Sequence, residues 1–241
     1  MKNGKRIAAV VLAAGSGKRM GTNTPKQFLE VNEKPLLYYC TKKFNDSFID
    51  EIIIVCRPDD KEYISKEIVK KFSLGKVTKI VCGGKERYHS VAAGLEAIDF
   101  CDYVLIHDGA RPFVTDEIID SAYETVSENG SAITAVPSKD TVKIVDENGF
   151  ITATPNRNTV YLMQTPQTFD FLSIRNCYRQ LLSQEDEIIA SGVTITDDAM
   201  VMEKFGSGKV KLSSGDYRNI KITTPEDMIL AKAYMEDLKL C

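Results

Sequence analysis

There is no tryptophan in this chain, only two histidines, and no Cys-x-x-Cys pair among its six cysteines. Sparse histidine and unpaired cysteine argue against a zinc site, whose ligands come as spaced Cys and His. No run of about twenty apolar residues reads as a membrane span, and no stretch reads as a signal peptide. The formal net charge is −3, so the basic excess of a general nucleic-acid binder is missing. Repeats, low-complexity segments and internal linkers are also missing. Four of the cysteines lie in or beside apolar runs and read as buried reduced thiols. The compartment expected from this is a reducing cytoplasm.

What is present is a 241-residue chain, 43% hydrophobic, long enough for one large α/β domain. Short apolar runs at 7–12, 51–56, 77–82, 103–106 and 132–136 read as strands. Amphipathic or charged stretches at 35–44, 59–71, 87–98 and 115–128 read as helices between them. This alternation predicts βαβ units and an open, mostly parallel sheet with helices on both faces, Rossmann-like in style. Around Glu147-Asn148-Gly149 the pattern changes to period two, which predicts a β-hairpin inserted at about 138–160 and projecting as an arm or flap. Further on, 171–182 reads as a helix, Thr196 opens another, 210–212 and 219–222 read as short strands, and Thr224-Pro225 opens the last helix. We expect a single domain over 1–241.

The densest chemistry lies where the first strand ends. Ala13, Ala14, Gly15, Ser16 and Gly17 form a small-residue, Gly-rich turn, followed by Lys18, Arg19 and Lys26. Backbone N–H groups of such a turn cradle phosphates, and nearby cations neutralise them. Three cations suggest a triphosphate. Gly15-Ser-Gly-Lys-Arg has the wrong spacing for a P-loop and no hydroxyl after Lys18. Against the dinucleotide fingerprint, Met20 stands where the third glycine belongs and Gly21 comes one residue late. A dehydrogenase is therefore disfavoured, although Arg57 leaves a 2′-phosphate reading open. An ordinary strand-to-helix turn explains less, because Pro25-Lys26-Gln27 extends the loop beyond a turn's needs.

The other candidates also follow strand ends, where open α/β sheets bind ligands. Gly83-Gly84 and Ser90 can approach a base or ribose. Asp108 can hold a divalent cation, accept from a hydroxyl or pair with Arg111, while His107 reads as a packing residue. Arg157 reads equally as a loop charge or an anion ligand. In Thr196-Asp197-Asp198-Ala199, Asp197 reads as a helix cap. Lys221 on its own reads as a surface charge. A triphosphate brings Mg²⁺ with it, so Mg²⁺ is expected whatever binds the metal on the protein side; no protein metal ligand is assigned.

The stretch Leu12-Ala-Ala-Gly-Ser-Gly-Lys-Arg-Met-Gly with Pro25-Lys-Gln-Phe resembles the signature of nucleotidyltransferases that join an NTP to a sugar or polyol phosphate. Pro-Lys-Gln-Phe and His107-Asp-Gly-Ala-Arg-Pro112 are similar to the cytidylyltransferase branch, with Gly109 where that branch has alanine. Six motifs match in order from residue 7 to about 235. Thr196-Asp-Asp-Ala and Ser90-Val-x-x-Gly-Leu resemble the enzymes acting on 2-C-methyl-D-erythritol 4-phosphate more than those acting on ribitol 5-phosphate. The resemblance implies CMP transfer from CTP to a polyol phosphate with release of pyrophosphate. It implies Arg19 and Lys26 as catalytic cations, and Ala13 to Gly17, Gly84, Ser90 and Asp108 as nucleotide contacts, with Arg87 a marginal addition from the same loop as Gly84 and Ser90. Asp108, Arg111, Thr141, Arg157, Thr196 and Lys221 are implied on the acceptor side. Tyr161 stands where that family commonly has tryptophan, and Asn156 where an acid is frequent. The resemblance also implies a homodimer through the arm, with Arg157 often acting from the partner subunit. A nucleotide-binding regulatory module would keep the Gly-rich loop but need no acceptor-side cation such as Arg157.

Overall fold

The computed structural model describes residues 1–15, 24–206 and 209–238. The chain opens with β1 (Ile7–Ala13), a 3₁₀ turn (Lys26–Phe28), a small hairpin of β2 (Glu30–Val31) and β3 (Lys34–Pro35), and α1 (Leu36–Asp46). Next come β4 (Glu51–Cys56), the short α2 (Lys61–Tyr63) continuing as a π-helix (Ile64–Lys70), β5 (Val77–Cys82), α3 (Arg87–Glu96) and β6 (Tyr103–Asp108). Then follow α4 (Asp116–Asn129), β7 (Ser131–Pro137), the pair β8 (Ile144–Val145) and β9 (Ile151–Ala153), and β10 (Tyr161–Asp170). The last part holds α5 (Phe171–Ser183), α6 (Glu185–Ala190), α7 (Asp198–Phe205), β11 (Leu212–Ser214) and α8 (Pro225–Asp237).

Seven strands form one sheet in the order β11-β7-β10-β6-β1-β4-β5. β1 pairs in parallel with β4 and β6, β4 with β5, and β11 with β7; β10 runs antiparallel to both β6 and β7. The expected open, mostly parallel sheet is therefore present. The alternation of side chains explains why β1, and β4 after Glu51, are apolar throughout. Ile7, Ala9, Val11, Ile52 and Ile54 pack towards α1, α4 and the π-helix. Ala8, Val10, Ile53 and Val55 pack towards α3, α5 and α7. Both faces are covered, and each fully buried Val or Ile contributes about 1.5–3 kcal/mol. α8 closes a third, smaller core with Leu36, Tyr39, Phe113 and Ile222.

Three features put the site where it is. The chain lays β4 and β5 on one side of β1 and then crosses to lay β6 on the other. The crevice beyond the carboxyl ends of β1 and β6 is thus a topological switch point. α3 lies close on the sheet at Gly94, where a Cβ would sit 2.4 Å from Val10 Cγ1 and 3.0 Å from Val55 Cγ2. This brings the amino end of α3 against that crevice. Thr115 caps α4 by accepting from the Ile118 N–H, and Thr224 with Asp227 forms a capping box on α8, as their sequences predict.

Two elements were not predicted and one expected strand is absent. Residues 161–170, for which no strand was predicted, form β10 in mid-sheet; Pro166 within it breaks the simple strand pattern. α6 was not anticipated. Residues 219–222 are not a strand but a segment without regular structure, pinned by side chains. α7 starts at Asp198 with Asp197 as its cap, as the sequence predicts: the Asp197 carboxylate accepts from the Met200 N–H at 2.9 Å. The hairpin at Glu147–Gly149 does form, as β8 and β9, and is exposed along its whole length.

Candidate active site

At the end of β1, the buried Gln27 donates to the Ala13 carbonyl at 2.7 Å. That bond folds the Pro25-Lys-Gln-Phe turn back beneath the strand end. Lys26 is carried over Gly15, its Cε 3.9 Å from where a Cβ at residue 15 would be. Of the predicted phosphate loop, Ala13, Ala14 and Gly15 line a cleft of ≈380 Å³ with Lys26. Ser16, Gly17 and Arg19 lie outside the described residues.

The second wall is the loop after β5. A Cβ at Gly83 would meet Ser90 Oγ at 2.5 Å and Ala14 Cβ at 2.9 Å, so the two loops touch only because residue 83 has no side chain. Ser90 is buried; its hydroxyl accepts from the Gly84 N–H at 3.2 Å and donates to the Glu86 carbonyl at 3.4 Å. Glu86 and His89 close a capping box at the start of α3. Gly84, Lys85, Glu86, Arg87 and Ser90 all line the cleft.

Asp108, the last residue of β6, is the electrostatic centre. Lys221 Nζ lies 2.7 Å from its carboxylate, Arg87 Nε 3.6 Å and Arg111 Nε 3.9 Å. Burial alone would raise the Asp108 pKa, but Arg87, Lys221 and Arg111 together hold it well below the usual carboxylate range. Burial lowers the pKa of Arg111, with Asp108 opposing and Arg87 adding to the fall. Arg111 donates to the Asn219 carbonyl at 2.7 Å and the Met163 carbonyl at 3.4 Å. Ile222 N–H donates to the Ala110 carbonyl at 2.8 Å, which keeps Lys221 over β6.

Behind Asp108 the hydrogen bonds have one consistent direction. His107 Nε2 faces the Arg111 carbonyl at 3.1 Å and must donate to it. Nδ1 is then the acceptor, and Thr165 donates to it at 3.1 Å while accepting from the Asp108 N–H at 3.1 Å. Burial lowers the His107 pKa to about 4, so the ring is neutral and serves as packing, in keeping with its sequence reading.

A second cavity of ≈290 Å³ adjoins the first, lined by Arg111, Met163, Gln164, Thr165, Gln167, Thr196 and Asp197. Arg87, Asp108 and Lys221 line both. The structure therefore brings Ala13, Ala14, Gly15, Lys26, Gly84, Ser90, Asp108, Arg111, Thr196 and Lys221 around one two-lobed crevice. It does not bring Thr141 or Arg157 there. Both are exposed at the base of the arm, where Arg157 donates to the Lys139 carbonyl at 3.2 Å.

Sequence reasoning left Arg87 marginal and assigned Asp198 no role. Arg87 makes a two-pronged ion pair with Asp198, both contacts 2.7 Å, and Tyr178 OH also donates to Asp198. Burial works against the Arg87 charge, but Asp198 more than offsets it and raises the Arg87 pKa. The signal was the second carboxylate of Asp197-Asp198, which helix capping does not use.

Residues 7–237 match the family model described as IspD, 2-C-methyl-D-erythritol 4-phosphate cytidylyltransferase. Relatives of that name include one from Lachnoclostridium phytofermentans, 45% identical over 97% of each chain. Another, from Clostridium botulinum, is 48% identical over 94% of this chain and 97% of the relative. Among solved structures, 4-diphosphocytidyl-2C-methyl-D-erythritol synthase from Anaerococcus prevotii superposes with a TM-score of 0.83 at 40% identity, covering 97% of each chain. The Thermus thermophilus cytidylyltransferase gives 0.72 at 28% identity, covering 94% of this chain and 98% of that one.

Proposed function

The chain belongs to the 2-C-methyl-D-erythritol 4-phosphate cytidylyltransferase family, and on that premise we propose how its two-lobed crevice carries out the transfer. The reaction moves CMP from CTP to 2-C-methyl-D-erythritol 4-phosphate, releasing pyrophosphate, in the pathway to isoprenoid precursors. The observation that carries the assignment of roles is that two cavities meet at one cluster, Asp108 with Arg87 and Lys221. The lobe between the loops after β1 and β5 takes CTP, with Gly84 and Ser90 at the base or ribose and Ala13 to Gly17 at the triphosphate. The lobe against β10 takes the acceptor, with Arg111 and Thr196 beside it.

An acceptor phosphate oxygen attacks the α-phosphorus in line, and pyrophosphate departs from the opposite side. A phosphate monoester is already anionic near neutral pH, so no protein base is needed, and among the described residues no histidine or cysteine lines either lobe. Positioning and charge stabilisation supply the rate. Lys26, Lys221 and Arg19 provide the charge; Asp108 orients Lys221 and accepts from a ribose or acceptor hydroxyl.

Mg²⁺ fits as a companion of the triphosphate. Asp108 and Glu86 are the carboxylates lining the nucleotide lobe, and the described residues contain no group of three metal-ligating side chains. Such a site suits an ion held mainly by phosphates and water, which would neutralise the nucleotide's charge.

The reading includes a homodimer. Ile144, Val145, Phe150 and Ile151 are 51%, 53%, 72% and 63% exposed, a concentration of apolar side chains on a narrow arm that a partner's surface would cover. Thr141 and Arg157 then reach the acceptor in the partner's crevice. We also read 1–241 as one nucleotidyltransferase domain with the arm at about 138–160. Free cysteines at 40, 56, 82, 101 and 177 support work in a reducing cytoplasm. The test is pyrophosphate release from each NTP with Mg²⁺ and either methylerythritol phosphate or ribitol phosphate. CTP with the former should turn over at least tenfold faster than any other pair; preference for ribitol phosphate would refute the acceptor assignment.

A further inference from the structure

The pairing of Arg87 with Asp198 is more expensive than the fold requires. Asp198 is fully buried, and a buried carboxylate is poor evidence for stability because desolvation consumes what the ion pair returns. Both helices that the pair joins are secured without it. α7 is tied to β10 by Gln167, which donates to the Asp197 carboxylate at 3.0 Å and accepts from the Ala199 N–H at 2.8 Å. Val201 and Met202 bury the rest of its inner face, while Val91 and Leu95 seat α3. What the pair does fix is the Arg87 guanidinium. Both terminal nitrogens are committed to Asp198, leaving the Nε edge towards Asp108 at the junction of the lobes.

Resting on the functional reading above, we propose that Asp198, backed by Tyr178, is a positioning residue for cytidylyl transfer. It occupies the phosphate-binding fork of Arg87, so that this arginine steers Asp108 instead of clamping substrate phosphates. An arginine fork released from Asp198 has two alternatives. It can chelate a phosphate in a geometry suited to the ground state, or swing onto Asp108 and displace Lys221. Either loss falls on the chemical step more than on nucleotide binding.

The experiment compares wild type, Asp198→Asn, Arg87→Ala and the double variant in the full chain. It measures pyrophosphate release with CTP, Mg²⁺ and methylerythritol phosphate, and CTP affinity by calorimetry. Asp198→Asn should lower kcat roughly tenfold or more while the CTP Kd stays within about threefold. Adding Asp198→Asn to Arg87→Ala should change kcat little further, because one residue acts through the other. A folded Asp198→Asn enzyme with wild-type kcat, or losses that simply multiply in the double variant, overturns the proposal. Should Asp198→Asn not fold, Tyr178→Phe replaces it. That change withdraws one hydrogen bond from Asp198 and should cost kcat a few-fold in the Arg87 background but not in Arg87→Ala; equal cost in both overturns the proposal. An inactive wild type would instead sink the functional reading and this inference with it.

Discussion

The crevice at Asp108 and the arm of β8 and β9 carry residues assigned to the same reaction under opposite physical conditions. In the crevice the charged side chains at the junction are held from behind: Asp108 by three cations, Arg111 by two carbonyls, Arg87 by Asp198. In the arm, apolar side chains stand in solvent, and Arg157 has one carbonyl contact near its base. A crevice of this kind is organised before any substrate arrives. The arm has the character of a part awaiting a surface, which is why we assign its residues to a partner's site.

The sharpest test of that contrast is in the crevice. Lys26→Ala should lower kcat by about 10²–10³, the loss seen on deleting one transition-state donor, with the chain still folded by circular dichroism. Near-normal turnover would remove Lys26 from the mechanism. Next in size is the response to acid. His107 has a pKa of about 4 when folded against an ordinary 6.5. Between those values the unfolded chain binds a proton that the folded one does not. Stability should therefore rise with pH across that window and fall by up to about 3 kcal/mol on acidification to its lower edge. A ¹⁵N titration of the imidazole nitrogens checks this, and a midpoint near 6.5 would mean that the wall behind Asp108 is open to water. Arg157→Ala should raise the acceptor KM about tenfold with little change for CTP, as expected for one lost phosphate contact. Mixed with Lys26→Ala, it should regain activity, because a hybrid dimer contains one intact site; no recovery would put Arg157 in its own chain's site or in none. The smallest effect belongs to the arm's apolar face. Phe150→Asp should shift unfolding of the isolated chain by no more than about 0.5 kcal/mol while weakening self-association in sedimentation. A large loss of stability would show that the arm packs on its own chain.

Legibility in the sequence followed the same divide. β1, β4 and β6 were readable because both faces of each are buried and apolar residues run through them nearly unbroken. Thr115 and Thr224 were readable because capping depends on neighbours in sequence. β10 was not: its Gln164, Thr165, Pro166 and Gln167 lack a strand's pattern, since their side chains serve the crevice as well as the sheet. Lys26, Asp108 and Lys221 came from motif likeness, and the structure adds what holds them. The partnership of Arg87 with Asp198 spans 111 positions, and no local rule reaches across that separation.

The two lobes also divide along the chain. Apart from the shared junction, the lobe assigned to the nucleotide is lined by residues from 12–110 and the lobe assigned to the acceptor mostly by residues from 163–197. Because β10 enters the sheet late and against the grain of β6, the pocket we assign to the polyol is encoded apart from the one we assign to CTP. On that assignment, exchanging the later stretch between homologues is a route to new acceptors that leaves the donor lobe as it is.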